Sequence, residues 1–198
     1  MSMVQVRIKG TTPLLVHKFT DAAAMEATKA TRASIKSSNK TPRDEAEVFL
    51  YKSIKDNKTL VFPGINVHRS IIDAGIFHKV GRNKVTTAKT SLVPSAVFMQ
   101  EIELPIKPAK WEVDSRPVVI PATGGRVIRH RPRFDEWELS FTLEIDEDTF
   151  PEDFVRLLVD DAGKKIGLGD FRPARKGPFG RFVVTHWKKL PEAQCQRN

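Results

Sequence analysis

WELSFTLEI, residues 137–145, decides how the rest of this chain is read. Trp137, Leu139, Phe141, Leu143 and Ile145 alternate with Glu138, Ser140, Thr142 and Glu144. A period of two means a strand with one buried and one wet face, as in an antiparallel sheet covered on one side. The segment that follows, Glu152 to Ala162, carries Phe154, Leu157 and Leu158 at spacings that suit a helix laid on such a sheet. Thr149 and Glu152 ahead of it have capping-box spacing, and Gly163 behind it has the place of a C-cap.

Working outward, the same alphabet recurs at both ends. Val4, Val6 and Ile8 alternate with Gln5, Arg7 and Lys9, so Met3 to Lys9 reads as a first strand. Arg181 to Trp187 reads as a last one, with Phe182, Val184 and His186 opposite Val183, Thr185 and Trp187. Pro63 suits a helix start, and Ile65, Ile72 and Ile76 carry that helix to about His78. Ala96 to Ile106 alternates as a strand through Phe98, Ile102 and Leu104. The order β-α-β-β-α-β predicts an α+β fold, a ferredoxin-like or RRM-like antiparallel sheet with two packed helices.

Between these elements lie the additions. Arg43 to Leu50 reads as a short helix with Val48, Phe49 and Leu50 inward, and a turn at 55–58 joins Ile54 to Leu60–Phe62. Val118–Ile120 and Val127–Ile128 read as arms of a hairpin tipped by residues 121–125, within a protruding basic stretch at 116–134. Residues 1–187 are expected to form one domain, with 20–42 an excursion from the core and 188–198 a flexible tail.

The chain has 198 residues, 40% of them hydrophobic and 29% charged, which suits a soluble protein with a core. Its formal charge of +9 favours a polyanionic partner. One cysteine, Cys195, excludes a disulfide framework and a cysteine-based zinc site, and fits a reducing cytoplasm. The alternating N-terminus is not a signal peptide, and no apolar run approaches the ~18 residues of a membrane span, so no membrane partner is expected.

Charge is segregated along the chain. Residues 144–161 hold eight acids against one base, Arg156, whereas 116–133 hold five arginines and no acid. Residues 163–182, GKKIGLGDFRPARKGPFGRF, combine five glycines and three phenylalanines with a single acid, Asp170. Glycine admits close backbone approach and arginine offers a planar fork of donors suited to phosphate. The plainer reading is a solvated loop. The expected nucleic-acid-binding set is Lys164, Lys165, Arg172, Arg175, Lys176 and Arg181 in the loop; Arg126, Arg129, Arg131 and Arg133 in the hairpin; and His68, Arg69, Lys79, Arg82 and Lys84 along and beyond the first helix. Phe171 and Phe179 are expected as stacking faces, with Phe134 as a further candidate, against the plainer role of core packing.

Other chemistry has weaker support. Gly167-Leu-Gly169 lacks the third glycine of a dinucleotide fingerprint and lies between a helix and a strand, the reverse of the required order. The histidines 17, 68, 78, 130 and 186 are scattered, so no metal and no cofactor is expected. Metal-independent RNA cleavage through His17 or His68, with Tyr51 as a further candidate, stays open, as does a basic interaction module for an acidic protein.

Three stretches together resemble a known family: Thr12-Pro-Leu-Leu15 after the first strand, the run from Phe62 through His68 and Arg69 to Ile72, and the closing Gly180-Arg-Phe182. In order, they are similar to the RAMP superfamily, the RRM-like backbone subunits of CRISPR effector complexes, and to short phage and prophage proteins. The resemblance implies a modified RRM core that binds single-stranded RNA or DNA and stacks head to tail as a homo-oligomer or filament, with other effector subunits as further partners. It implies His68 and Arg69 near the strand, the glycine loop over its backbone, and the hairpin near Gly124 and Gly125 as an intercalating protrusion. No aspartate here matches the one that cuts target RNA in some members, nor is the histidine arrangement of the RNA-processing members evident, so the expected protein is not an enzyme.

Overall fold

The computed structural model describes residues 1–19, 41–119 and 124–191. In chain order the strands are β1 (Ser2–Gly10), β2 (Leu14–Leu15), β3 (Val61–Pro63), β4 (Lys79–Val80), β5 (Asn83–Lys84), β6 (Val97–Met99), β7 (Glu103–Pro105), β8 (Glu112–Val119), β9 (Arg126–Phe134), β10 (Glu138–Ile145) and β11 (Phe182–Lys189). The α-helices are α1 (Pro42–Glu47), α2 (Gly64–Ala74), α3 (Val93–Ala96) and α4 (Glu152–Asp161). The excursion expected at 20–42, save its last two residues, and the end of the expected tail at 192–198 lie outside the described residues.

The main sheet runs β11-β1-β10-β6, antiparallel throughout. With α2 between β1 and β6, and α4 between β10 and β11, the element order is the β-α-β-β-α-β of a ferredoxin-like core. The alternation of β1 and β10 falls as expected. Val4, Val6, Ile8, Leu139, Phe141, Leu143 and Ile145 are buried, in one core with Val67, Ile71 and Ala74 of α2 and Val155, Leu158 and Val159 of α4. The opposite face presents Gln5, Arg7, Lys9 and Ser140 to solvent, with the Phe98 ring at its edge opposite Glu144. That face does not offer the central aromatics on which RRM sheets stack bases.

Several expectations shift. The strand read across 96–106 is two short ones in different sheets: Phe98 and Ile102 face solvent, and the carboxylate of Glu101 accepts hydrogen bonds from the backbone and hydroxyl of Thr142. The helix from Pro63 ends at Ala74 and continues as a 3₁₀ turn to Phe77. Thr149 does not cap α4; its hydroxyl donates to Asp146, and Pro151 occupies the N-cap. Leu157 is exposed, so the buried stripe of α4 is Val155, Leu158 and Val159. Val48 is exposed rather than inward. In β11 a bulge opposite Arg7/Ile8 moves Trp187 to the side of Val6, while His186 pairs with Arg7.

Two additions to the core matter for the site. The hairpin β8–β9 is longer than expected, and β2 extends it into a three-stranded sheet through Leu14↔Phe134 and Leu15↔Arg133. Its tip, residues 120–123, lies outside the described residues. The glycine-rich segment does not start with a C-cap at Gly163. A π-turn spans Ala162–Ile166, and the left-handed stop comes at Gly167, φ 73°. The loop beyond is zipped to the chain after β1: Asp170 N–H donates to Leu15 O at 2.8 Å, Gly180 N–H to Pro13 O at 2.8 Å, and Leu168 N–H to Gly180 O at 2.9 Å. A Cβ on Gly169 would sit 2.2 Å from Leu15 O, so this glycine serves the loop's own close packing.

Candidate nucleic-acid interface

Where the glycine loop crosses α2, a cleft of about 250 Å³ opens. Its floor is apolar, from Val16, Phe62 and Leu168. One wall is His17 and Tyr51, the second is Asn66, Arg69 and Ser70 of α2, and the third is the loop from Gly167 through Asp170 to Arg172. Positions 66, 69 and 70 are i, i+3 and i+4, one face of a helix. Ser70 donates its hydroxyl hydrogen to Gly167 O at 3.2 Å, and Arg172 donates to Gly169 O at 3.1 Å, tying loop to helix and closing the loop on itself.

His17 stacks on Phe49 with ring centroids 4.3 Å apart. Its pKa lies below the ordinary 6.5: burial disfavours the charged ring, Arg131 and Arg129 repel it, and Asp170 only partly opposes them. The ring is therefore mostly neutral at pH 7, and its Nδ1 is buried without a hydrogen-bond partner among the described residues. Burial raises the Tyr51 phenol above 10, with Asn66 hydrogen-bonded to it. Arg131 Nε lies 3.1 Å from the Asp170 carboxylate, off the hydrogen-bonding direction, so the base of the hairpin meets the rim of the cleft electrostatically.

The expected site residues distribute unevenly. Arg69 and Arg172 line the cleft. His68 does not: two positions from Asn66 on a helix, it points elsewhere, and its Nε2 lies 2.8 Å from Val97 O. Lys79, Arg82 and Lys84 are exposed on the β4–β5 hairpin beyond the end of α2 and take no part in the cleft. Lys164, Arg175, Lys176 and Arg181 are exposed on the glycine-rich segment without ion pairs among the described residues. Lys165 is committed, 2.7 Å from Asp161 and 4.6 Å from the Phe77 ring centroid.

In the hairpin, the register puts Arg116, Arg129, Arg131 and Arg133 on one face with Glu112 and Asp114, and Arg126 on the other with Val119 and Ile128. The single basic surface expected there is thus split, because neighbours in a strand point to opposite sides. Phe171 is 39% exposed and stays a stacking candidate. Phe179 is buried under the Arg116 guanidinium at 4.4 Å, and Phe134 is fully buried, so neither ring offers a free face. Asn66, Ser70 and Asp170 were not anticipated. The i, i+3, i+4 spacing from Asn66 was the signal that could have found the first two.

Among the described residues no group of three or more His, Cys, Asp or Glu could hold a metal ion, and no helix is long and apolar enough to cross a membrane. Neither a protein-family model nor a curated protein matches the chain. Among solved structures, it is similar to a chain of the cryo-EM structure of the Type III-B Cmr-beta bound to cognate target RNA. The TM-score is 0.54 at 12% identity, over 96% of this chain and 60% of that one. What the two share is the fold. The chain spans about three fifths of the length of the one it matches.

Proposed function

We propose that this protein is a non-catalytic binder of single-stranded nucleic acid, RNA or DNA, that holds the sugar–phosphate backbone independently of sequence and assembles head to tail along it. Its backbone track runs from Arg129 on the hairpin, past Arg69 and Arg172 at the cleft, to Arg175, Lys176 and Arg181 on the loop. The observation that carries this reading is the meeting of α2, the glycine loop and the hairpin base at one basic-rimmed cleft, on a fold similar to that of a chain in an RNA-bound complex. That complex also supports assembly with other subunits of an effector particle.

Labelled single strands of increasing length should shift in steps, with affinity falling as salt rises. One phosphate neutralised by each of the six cations of the track gives a log–log slope of about −4 for a single strand. Binding that is undiminished at high salt overturns the phosphate account, and pull-down of a protein partner that survives nuclease favours an acidic protein instead. One observation favours a metal-independent ribonuclease as a second reading: His17, its Nδ1 without a hydrogen-bond partner among the described residues, lies in the same cleft as Tyr51. RNA that stays intact during long incubation with excess protein removes it.

A further inference from the structure

We infer that the face where the β4–β5 hairpin meets the end of α4 docks an acidic segment of another protein, one that carries large apolar side chains among its carboxylates. The inference goes beyond the strand-binding reading, because the hairpin lies outside the cleft and its cations have no place in the backbone track.

The hairpin is short but firmly held. Val85 N–H donates to His78 O at 3.1 Å, extending the ladder beyond Lys79↔Lys84, and the Val85 side chain is buried. Thr86 donates its hydroxyl hydrogen to Ile72 O at 2.7 Å, which ties the outgoing chain to α2. His78 Nε2 lies 2.8 Å from the Asp161 carboxylate, and its ring stands perpendicular to that of Phe154 with centroids 5.6 Å apart. A surface already ordered loses little freedom when a partner arrives. Because His78 faces α4, alternation turns Val80 the same way and sends Lys79 and Lys84 to the outer side. On α4, Phe154 and Asp161 both reach His78, and Leu157 lies between them on the same helix face. Lys165 joins Phe77 to this group, at 2.7 Å from Asp161 and 4.6 Å from the Phe77 ring centroid. Around the His78–Asp161 pair thus stand three exposed apolar side chains: Phe77 at 50%, Leu157 at 46% and Val80 at 45%. Scattered singly such residues are ordinary, but gathered around one fixed pair they form a patch.

The charge beside the patch has one sign. From Lys79 to Thr90 the chain holds Lys79, Arg82, Lys84 and Lys89 and no acid. Lys79 and Lys84 stand directly opposite each other, an arrangement that costs a sheet stability. Neither they nor Arg82 has an ion pair among the described residues. An incoming carboxylate relieves that repulsion, so the surface selects for charge as well as for apolar contact.

Each rival occupant leaves part of the surface unused. A nucleic-acid strand would engage the cations, yet Val80 and Leu157 offer no flat ring and the Lys165 ammonium covers one face of Phe77. A lipid surface is flat, whereas Val80 is turned towards α4. A second copy of this chain brings few free acids from its acidic stretch: Glu147 and Glu152 pair with Lys189, Asp160 with Arg156, and Asp161 with Lys165 and His78. A separate acidic segment with apolar anchors at i, i+3 and i+4 meets both halves of the surface.

The test titrates the whole chain against three labelled synthetic peptides: a Glu-rich one with Leu and Phe at those anchor positions, the same peptide with Ser at the anchors, and the same peptide with Gln for every Glu. Wild-type protein should bind the first about tenfold more tightly than either control, the scale of one good interface contact. Lys84→Gln and Leu157→Ser should each remove about that factor, and Arg172→Glu, in the cleft, should leave peptide binding unchanged. Both altered side chains are exposed, so the fold should hold, and the melting temperature of Lys84→Gln should stay level or rise because the like-charge contact is gone. Equal binding of the three peptides, no binding of any, or binding that survives both variants overturns the proposal. Loss of single-strand affinity in Lys84→Gln with peptide binding intact gives the hairpin to nucleic acid and overturns it. So does loss of binding to phosphatidylserine–phosphatidylcholine vesicles in that variant, or a concentration-dependent self-association that both variants abolish.

Discussion

The glycine-rich loop and the arginine-rich hairpin are equally conspicuous in the sequence, yet their charges are in opposite states. In the hairpin most cations are spoken for. Arg116 grips Asp114 at 2.6 Å, Arg133 reaches Asp135 at 2.8 Å and Glu112 at 3.4 Å, and Arg131 faces Asp170 at 3.1 Å. In the loop, Arg172, Arg175, Lys176 and Arg181 have no ion pair among the described residues. The cause is geometric. Alternation sets Asp114 beside Arg116 and Asp135 beside Arg133, two residues apart along the chain, and the antiparallel ladder sets Glu112 opposite Arg133. A loop zipped by its backbone has no such opposite number and leaves its side chains to solvent. Charge counted along a sequence therefore overstates the hairpin and describes the loop fairly.

The largest effect expected from this contrast concerns the backbone. Gly180 has φ 71°, and a Cβ there would lie 1.8 Å from Leu168 O. Gly180→Ala should cost about 3 kcal/mol or more, since strain at positive φ and a backbone clash act together. Gly124 at the hairpin has φ 67° and nothing within 4 Å of its would-be Cβ, so Gly124→Ala should cost about 1 kcal/mol. Denaturant midpoints at constant m-value measure both. Equal losses would show that the loop is no more tightly built than the hairpin.

Next come the side chains. Arg69→Glu with Arg172→Glu should reduce single-strand affinity by about a hundredfold, two charge-assisted bonds at about 1.5 kcal/mol each, while the melting temperature changes little. Arg133→Glu should do the reverse. It places a carboxylate beside Asp114, which is 4% exposed, and beside Glu112 and Asp135, so stability should drop by about 2 kcal/mol with less than about a threefold change in affinity. Arg129→Glu, without an ion pair to lose among the described residues, should fall between, with about a fivefold loss of affinity and no change in stability. Titrations paired with melts separate the three, and comparable affinity loss from Arg133→Glu would return the hairpin to the binding surface.

The core was legible because strand periodicity is strict. Val4, Val6 and Ile8, and Leu139, Phe141, Leu143 and Ile145, could be buried on one side only, and they are. What was not legible depended on contacts between distant segments. Thr149 satisfies the local spacing of a cap, yet its hydroxyl goes to Asp146 in the preceding turn. The glycines of the loop read as openings for a phosphate, and several are spaces filled by the chain's own carbonyls at Leu15, Leu168 and Phe182. At the site, His68 and Arg69 looked like one unit because they are adjacent, whereas about 100° of helix turn separates them and sends His68 to Val97. His17 and Tyr51 share the cleft because the chain after β2 runs beside the segment after α1, with Lys18 N–H donating to Phe49 O at 3.0 Å, and the loop joins them through Asp170 N–H to Leu15 O.

The smallest effect expected sharpens the comparison at the point where hairpin and loop meet. His17 faces Arg129 and Arg131 from the hairpin and Asp170 from the loop, and burial leads the causes that hold its pKa below 6.5. In the folded protein the ring resists a proton that the unfolded chain accepts near pH 6.5. The unfolded state thus binds more protons in the window just below 6.5, and stability should decline as pH falls through it. A bound phosphate has the opposite influence: its negative charge beside the ring favours the imidazolium, so nucleic-acid affinity should rise over the same interval. His17→Gln should flatten both slopes. Stability and affinity that move in the same direction with pH would mean that the bound strand does not reach His17, and would confine the backbone track to the outer loop.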